Sequence, residues 1–196
     1  MRNRRVALGT TAVAGVFALA ACGSGTAAPQ PHQPQAGGGG GAAPKLVGDE
    51  STPRCGTADL SVALGVPEQR EEGSGQYEVP LAYTNTSGRT CGLHGVPGVD
   101  LVGPDDPMGT VYHLPRVDNG VPVNDVPAGK TATATITVLT PAPEAGPGWT
   151  PTHLVTIPPG QTEPLSVDWP SDLPVLRQDA ATHPGTYVNG ILADPL

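Results

Sequence analysis

From Arg54 onward the apolar side chains alternate with polar or small ones in short runs. Leu60, Val62 and Leu64 alternate with Ser61 and Ala63. Tyr77, Val79, Leu81 and Tyr83 alternate with Glu78, Pro80 and Ala82. Ala132, Ala134, Ile136 and Val138 alternate with Thr131, Thr133, Thr135 and Thr137, and Leu165, Val167 and Trp169 with Ser166 and Asp168. A period of two puts every second side chain on one face, so each run predicts a strand with one face buried. Gly98 to Val102, Thr110 to Leu114, His153 to Ile157 and Tyr187 to Leu192 predict further strands.

Turn signals separate these runs: Asn85-Thr86-Ser87-Gly88, Gly103-Pro104-Asp105-Asp106-Pro107, Asp118-Asn119-Gly120, Pro127-Ala128-Gly129 and Pro158-Pro159-Gly160. No helical period appears. Many short strands with Gly and Pro turns predict an all-β fold, an antiparallel immunoglobulin-like β-sandwich over residues 54–196. Pro80 has no N–H for a ladder, which predicts an edge strand or a bulge there. Pro141 to Pro151 reads as a loop carrying Trp149, and 170–186 as irregular chain wrapping the sandwich.

The first 53 residues follow no such pattern. Met1 to Arg5 is a basic n-region, and Val6 to Ala20 is apolar and uncharged. That stretch is short of the ~20 residues a membrane span needs, and it fits the h-region of a signal peptide. Leu19-Ala20-Ala21-Cys22 then reads as a lipobox. On this reading 1–21 is a lipoprotein signal peptide and the Cys22 thiol takes a diacylglyceryl group. Two acyl chains anchor stably where one binds only marginally. The competing reading is an ordinary signal peptide with Cys22 a bystander. Asn3-Arg4-Arg5-Val6-Ala7-Leu8 also resembles a twin-arginine export motif, so general-secretory and twin-arginine export both stay open. Residues 22–53 carry the lipidated Cys and a Gly/Pro/Ala linker that includes the run Gly37 to Gly41. Such a segment cannot bury enough surface to repay its ordering entropy, and as a flexible tether it spans about 30 Å.

Composition sharpens the picture. Gly 27 and Pro 24 disfavour helix. The single Phe, Phe17, falls in the signal, so the core has to come from Val, Leu, Ile, Ala and a few Tyr and Trp. Removing 1–21 takes three of the 10 basic residues and none of the 18 acidic ones, leaving an acidic chain. That excludes nucleic acid as a partner, since phosphates demand a basic patch.

Two cysteines remain once Cys22 is committed to lipid. Cys55 and Cys91 in an exported chain predict a disulfide. The alternative, a pair of reactive thiols, finds no Cys-x-x-Cys to support it.

Arg54-Cys55 with Leu60, Tyr83-Thr84-Asn85-Thr86-Ser87-Gly88 and Cys91-Gly92-Leu93-His94-Gly95-Val96-Pro97-Gly98-Val99 resemble an actinobacterial family. So do Val126-Pro127-Ala128-Gly129-Lys130-Thr131-Ala132 and the stretch Val175 to Val188. The family is the one labelled domain of unknown function 4232, found in secreted proteins and lipoproteins. The resemblance spans about 54–196 and implies an all-β domain on a lipidated tether. It implies no activity, so it assigns no functional residues. Some members carry further cysteines in the second half, and this chain has none after Cys91. The motifs also read structurally: the Asn85 side chain bonds backbone, and Gly88 and Gly95 supply positive φ.

Candidate chemistry is sparse. His94, His113, His153 and His183 lack ligand spacing, and His32 sits alone in the linker. Asp100 with Asp105-Asp106 suggests calcium, although acidic turns are mostly just solvated. Glu71-Glu72 are adjacent, whereas a glycosidase pair flanks a bond from opposite sides. No Gly-x-Ser-x-Gly or Ser-x-x-Lys is present. Trp149 could stack on a sugar or a partner, or cap the core; Trp169 reads as core.

The expectation is a non-enzymatic lipoprotein with no metal and no cofactor, anchored by Cys22 to the outer face of the cytoplasmic membrane. It would contact an envelope protein or a cell-wall component. The alternative is a small-ligand or metal carrier serving an envelope transporter.

Overall fold

The computed structural model describes residues 48–49, 51–120, 123–146 and 148–193. In it each alternating run is a strand. The strands are β1 (Leu60–Leu64), β2 (Glu68–Gln69), β3 (Gln76–Asn85), β4 (Cys91–Gly92), β5 (Gly98–Val102), β6 (Val111–His113) and β7 (Arg116–Val117). They continue with β8 (Asp125–Val126), β9 (Thr131–Leu139), β10 (His153–Ile157), β11 (Leu165–Asp168), β12 (Tyr187–Asn189) and β13 (Leu192–Ala193). Two 3-10 turns, Thr57–Asp59 and Pro143–Ala145, are the only helical pieces among the described residues.

A larger sheet runs in the order β1-β3-β9-β12-β7, with β2 also on β3 and β13 also on β9. A smaller one runs β11-β10-β5-β6, and β4 pairs with β8. The two large sheets pack as a sandwich. Val79, Leu81 and Tyr83 of β3 and Ala132, Ala134 and Ile136 of β9 are fully buried, and so are Leu101 of β5 and Leu154 of β10. Small alanines opposite large side chains let the two layers interdigitate. Across the layers the Tyr83 hydroxyl meets Thr156 Oγ1 at 2.5 Å, and Thr156 donates to the Gly98 carbonyl at 2.9 Å.

The sandwich is all-β and antiparallel as expected, apart from the single parallel pair of β12 with β7. Two expectations need correcting. Pro80 lies in a central strand, flanked by β1 and β9, rather than at an edge. The reason it fits is local. β1 ends at Leu64, and the residue facing Pro80 is Gly65, whose N–H donates to the Pro80 carbonyl at 2.8 Å. A Cβ on Gly65 would sit 2.8 Å from Pro80 Cγ, so the proline ring occupies the space a side chain would need. Lastly, Gly88 is not at positive φ; in that corner Gly129 is, at 74°.

Cys55 and Cys91 are joined by a disulfide (S–S 2.02 Å) across a sequence separation of 36. Both are buried. The bond clamps the chain before β1 to β4, beside backbone bonds from Cys55 N to Gly92 O and from Gly92 N to Pro53 O. Upstream of it, Gly48 N donates to Val123 O at 2.7 Å and Asp49 N to Asp125 Oδ2 at 3.0 Å. Residues 48–49, read above as tether, are thus bonded to the domain. Cys22, the signal peptide and residues 22–47 lie outside the described residues. Among the described residues no helix is long and apolar enough to cross a membrane.

Candidate functional site: a pinned loop beside an apolar cleft

The irregular segment after Trp169 carries the most heavily bonded side chain outside the core. Arg177 is inserted between Trp149, 4.8 Å from its ring centre, and Tyr112, 5.5 Å from its ring centre. Its side chain is only 4% exposed. A guanidinium tolerates such burial when its fork of donors is satisfied and a carboxylate balances its charge. Both conditions hold. Nη2 donates to Asp179 Oδ1 at 2.7 Å, to Val111 O at 2.8 Å and to Met108 O at 3.0 Å. Nε reaches Asp179 Oδ2 at 3.2 Å, and Nη1 donates to Gly109 O. Asp106 lies 3.5 Å from Nη1. The hydrogen bonds from Arg177 hold the Asp179 carboxyl below its ordinary range. Burial pushes the Tyr112 hydroxyl up.

Two of the carbonyls that Arg177 holds, those of Met108 and Gly109, belong to the turn between β5 and β6, and the third, that of Val111, to the first residue of β6. Gly103 N closes that turn onto Thr110 O at 3.0 Å. Trp149 Nε1 holds Pro104 O at 2.9 Å, and Asp106 Oδ1 accepts from Met108 N at 2.8 Å. Gly103 starts the turn because a Cβ there would meet Trp149 Cζ2 at 2.8 Å. Base and tip are therefore both fixed, while Met108 stays 49% exposed. Beside it opens a cleft of about 360 Å³ lined by Pro107, Met108, Ala145, Trp149 and Leu176. A second hollow of about 360 Å³ shares Pro141 with it and is lined by Val66, Pro67, Tyr77, Leu173 and Pro174. Val66, at 79%, is the most exposed of the large apolar side chains among the described residues. Arg177 spends its donors on protein, so the first cleft offers apolar contact rather than an open cation, while Thr140 and Asp172 make the second more polar.

The residues singled out in the sequence fall as follows. Trp149 and Trp169 are buried, Trp169 with its Nε1 on Leu173 O, so both belong to the core. His94 sits against Arg54, His113 against Asp100, His153 against Thr152 and His183 against Thr182. The fold does not bring the four together. Among the described residues no group of three or more His, Cys, Asp or Glu could hold a metal ion. Asp100 pairs with His113 at 2.7 Å, and Asp106 is spent on the pinned loop, so the calcium cluster does not assemble. Glu71 and Glu72 lie exposed between β2 and β3. Asn85 is a buried structural hub: Nδ2 donates to Arg89 O and Val126 O, and Oδ1 accepts from Ser87 N. Arg177 escaped sequence reasoning. Its one local signal is the Arg-x-Asp spacing to Asp179 in a segment otherwise without pattern.

Comparison with known proteins adds three findings. A family model described as "Domain of unknown function (DUF4232)" matches residues 55–188. No curated protein matches the chain. Among solved structures, the β-glucosidase DesR from Streptomyces venezuelae in complex with D-glucose aligns at 17% identity and TM-score 0.26. That alignment covers 56% of this chain and 15% of that one. At such a score the likeness carries no argument about fold or activity.

Proposed function

This chain belongs to the DUF4232 family of domains of unknown function, and from that premise we propose that it is a non-enzymatic binding module. It grips a partner protein with the 104–109 loop and the apolar cleft beside it. The observation that supports this is the pinning of an exposed Met108 by a buried Arg177. A loop fixed in advance loses little freedom on binding, so more of the contact energy appears as affinity. Methionine adapts to varied apolar surfaces, which suits a docking tip. Val66, which lines the neighbouring hollow, adds exposed apolar surface, and clustered exposed apolar surface marks interaction sites. The acidic balance speaks against nucleic acid as the partner.

The partner is an envelope protein. Lipid on Cys22 anchors the domain on the outer face of the cytoplasmic membrane, and the Gly/Pro-rich segment gives it reach. A photo-cross-linking residue at position 108, in intact cells, is expected to capture one envelope protein. The same residue at exposed Glu163 should not capture it. Equal capture from both positions, or none from 108, would overturn the docking reading. Cys22→Ala is expected to move the protein out of the membrane fraction. A Cys22→Ala protein that stays membrane-bound and is processed as before would rule out the anchor.

A further inference from the structure

A second site lies on the outer face of the four-stranded sheet, where we propose that Arg116 binds the carboxylate of a small ligand with a short aliphatic flank. The site shares no residue with the cleft described above, so it stands or falls separately from the docking reading.

Alternation along β5, β6 and β10 turns Leu101, Tyr112 and Leu154 into the core. It leaves Asp100, His113, Val155 and Ile157 on the outer face, lining a depression of about 270 Å³. Arg116, at the start of β7, lies over the first residue of β5. That residue is Gly98, and a Cβ there would come 3.0 Å from Arg116 Nη2 and 3.7 Å from its Cζ. The glycine thus makes a notch in which the guanidinium rests against the strand.

The arginines of the described residues are otherwise all engaged. Arg54 bonds His94, Arg70 pairs with Glu78, Arg89 with Asp59, and Arg177 with Asp106 and Asp179. Arg116 makes no ion pair or hydrogen bond among the described residues. This is so although the chain has 18 acidic residues to choose from and Asp100 lines the same depression. Asp100 is taken by His113 at 2.7 Å. The result is an unpaired planar fork at one end of a hollow and two aliphatic side chains, Val155 and Ile157, along it. An arginine fork matches a carboxylate bidentately, which fixes orientation as well as charge. The aliphatic wall then favours a carboxylate attached to a small apolar group over a bare anion. The volume suits one or two residues of a peptide end, or a free aliphatic acid, and no polymer chain.

The test is calorimetric titration of the full chain in detergent with four probes: N-acetyl-Ala-Ala, its C-terminal amide, N-acetylalanine and inorganic phosphate. Saturable binding of the acid is expected, about tenfold or more weaker for the amide, which keeps the shape and loses the charge. Arg116→Gln should lose the same factor, and Gly98→Ala, which displaces the guanidinium, should weaken binding too. Arg70→Gln should leave binding unchanged, and an unchanged melting temperature in Arg116→Gln shows that its loss is not misfolding. Preference for the dipeptide over N-acetylalanine identifies a peptide C-terminus as the source, and parity identifies a free aliphatic acid. Equal binding of acid and amide, phosphate binding as well as the acid, or no saturable binding would each overturn the proposal.

Discussion

The Arg177 guanidinium stacks 4.8 Å from the centre of the Trp149 ring, so the buried cation and the buried aromatic fix each other. Trp149 in turn holds Pro104, and Arg177 holds Met108, Gly109 and Val111, all by backbone carbonyls. The pair is the joint between the irregular C-terminal segment and the loop between β5 and β6.

Arg177→Lys should therefore not behave as a conservative change. An ammonium cannot lie flat between two rings or reach several carbonyls and a carboxylate at once. The expected loss is about 2 kcal/mol in urea unfolding, with protease cleavage appearing first within 104–109. Arg177→Lys with unchanged stability and an uncut loop would show that the pinning is not energetic.

Asp179 gives the same joint an acid limit. Its carboxyl is held below the ordinary value of 3.8, chiefly by the hydrogen bonds from Arg177. The unfolded state therefore binds the proton more readily than the folded one. The stabilisation is whole above about pH 4 and drains away as pH falls toward the lowered value. Unfolding midpoints measured from about pH 5 down to pH 2 should fall more steeply for the native protein than for Asp179→Asn. Parallel curves would place the acid sensitivity elsewhere.

The Cys55–Cys91 loop should contribute mainly through the unfolded chain. For a separation of 36 residues the chain-entropy relation gives roughly 3.8 kcal/mol. Paired Cys55→Ser and Cys91→Ser substitutions should lower stability by about 3–4 kcal/mol, as should reduction of the native protein. A loss below about 1 kcal/mol would mean that the clamp around β4 holds without its covalent bond.

The sandwich could be read in advance because its long strands display several periods of alternation. Thr131 to Val138 could bury Ala132, Ala134 and Ile136 in only one way. The strands β2, β4, β7 and β8 span two residues each, too few to show any period, and they form because neighbouring chain is already in place. Pro80 misled for a related reason. A missing donor forbids only the bond on one side, and whether that side is open depends on where β1 stops. Cys55 and Cys91 were legible because two thiols in a chain read as exported have few other fates. Arg177 and Arg116 were not, since the chain each packs against lies elsewhere in the sequence, at Met108 and Trp149 for one and at Gly98 for the other. Solitary arginines in turn-rich chain look alike until the fold buries one and leaves the other with no ion pair among the described residues.

Gly65 tests the account of Pro80. Gly65→Ala places a Cβ about 2.8 Å from the ring of Pro80, in a strand held on both sides. Overpacking of this kind costs about 1–3 kcal/mol. The cost should shrink in a Pro80→Ala background, because the two changes compete for one space. Additive effects of the two substitutions would show that the ring is not what excludes the side chain.

The hydrogen bond between Tyr83 and Thr156 should show an asymmetry peculiar to buried polar pairs. Both residues are fully buried, one in each sheet. Tyr83→Phe removes a donor and leaves Thr156 still donating to Gly98 O, so little is stranded. Its cost should stay below about 1 kcal/mol. Thr156→Val instead leaves the Tyr83 hydroxyl in the core without its partner, at about 2 kcal/mol. The double variant should lose less than the sum of the two, since no hydroxyl is then left unpaired. Burial also pushes the Tyr83 hydroxyl above its ordinary 10.0, so its contribution is whole below that value and declines as pH rises past it. Alkaline unfolding should accordingly come later in Tyr83→Phe than in the native protein. Equal costs for the two single variants, or an unchanged alkaline limit, would remove the hydroxyl from the list of what joins the sheets.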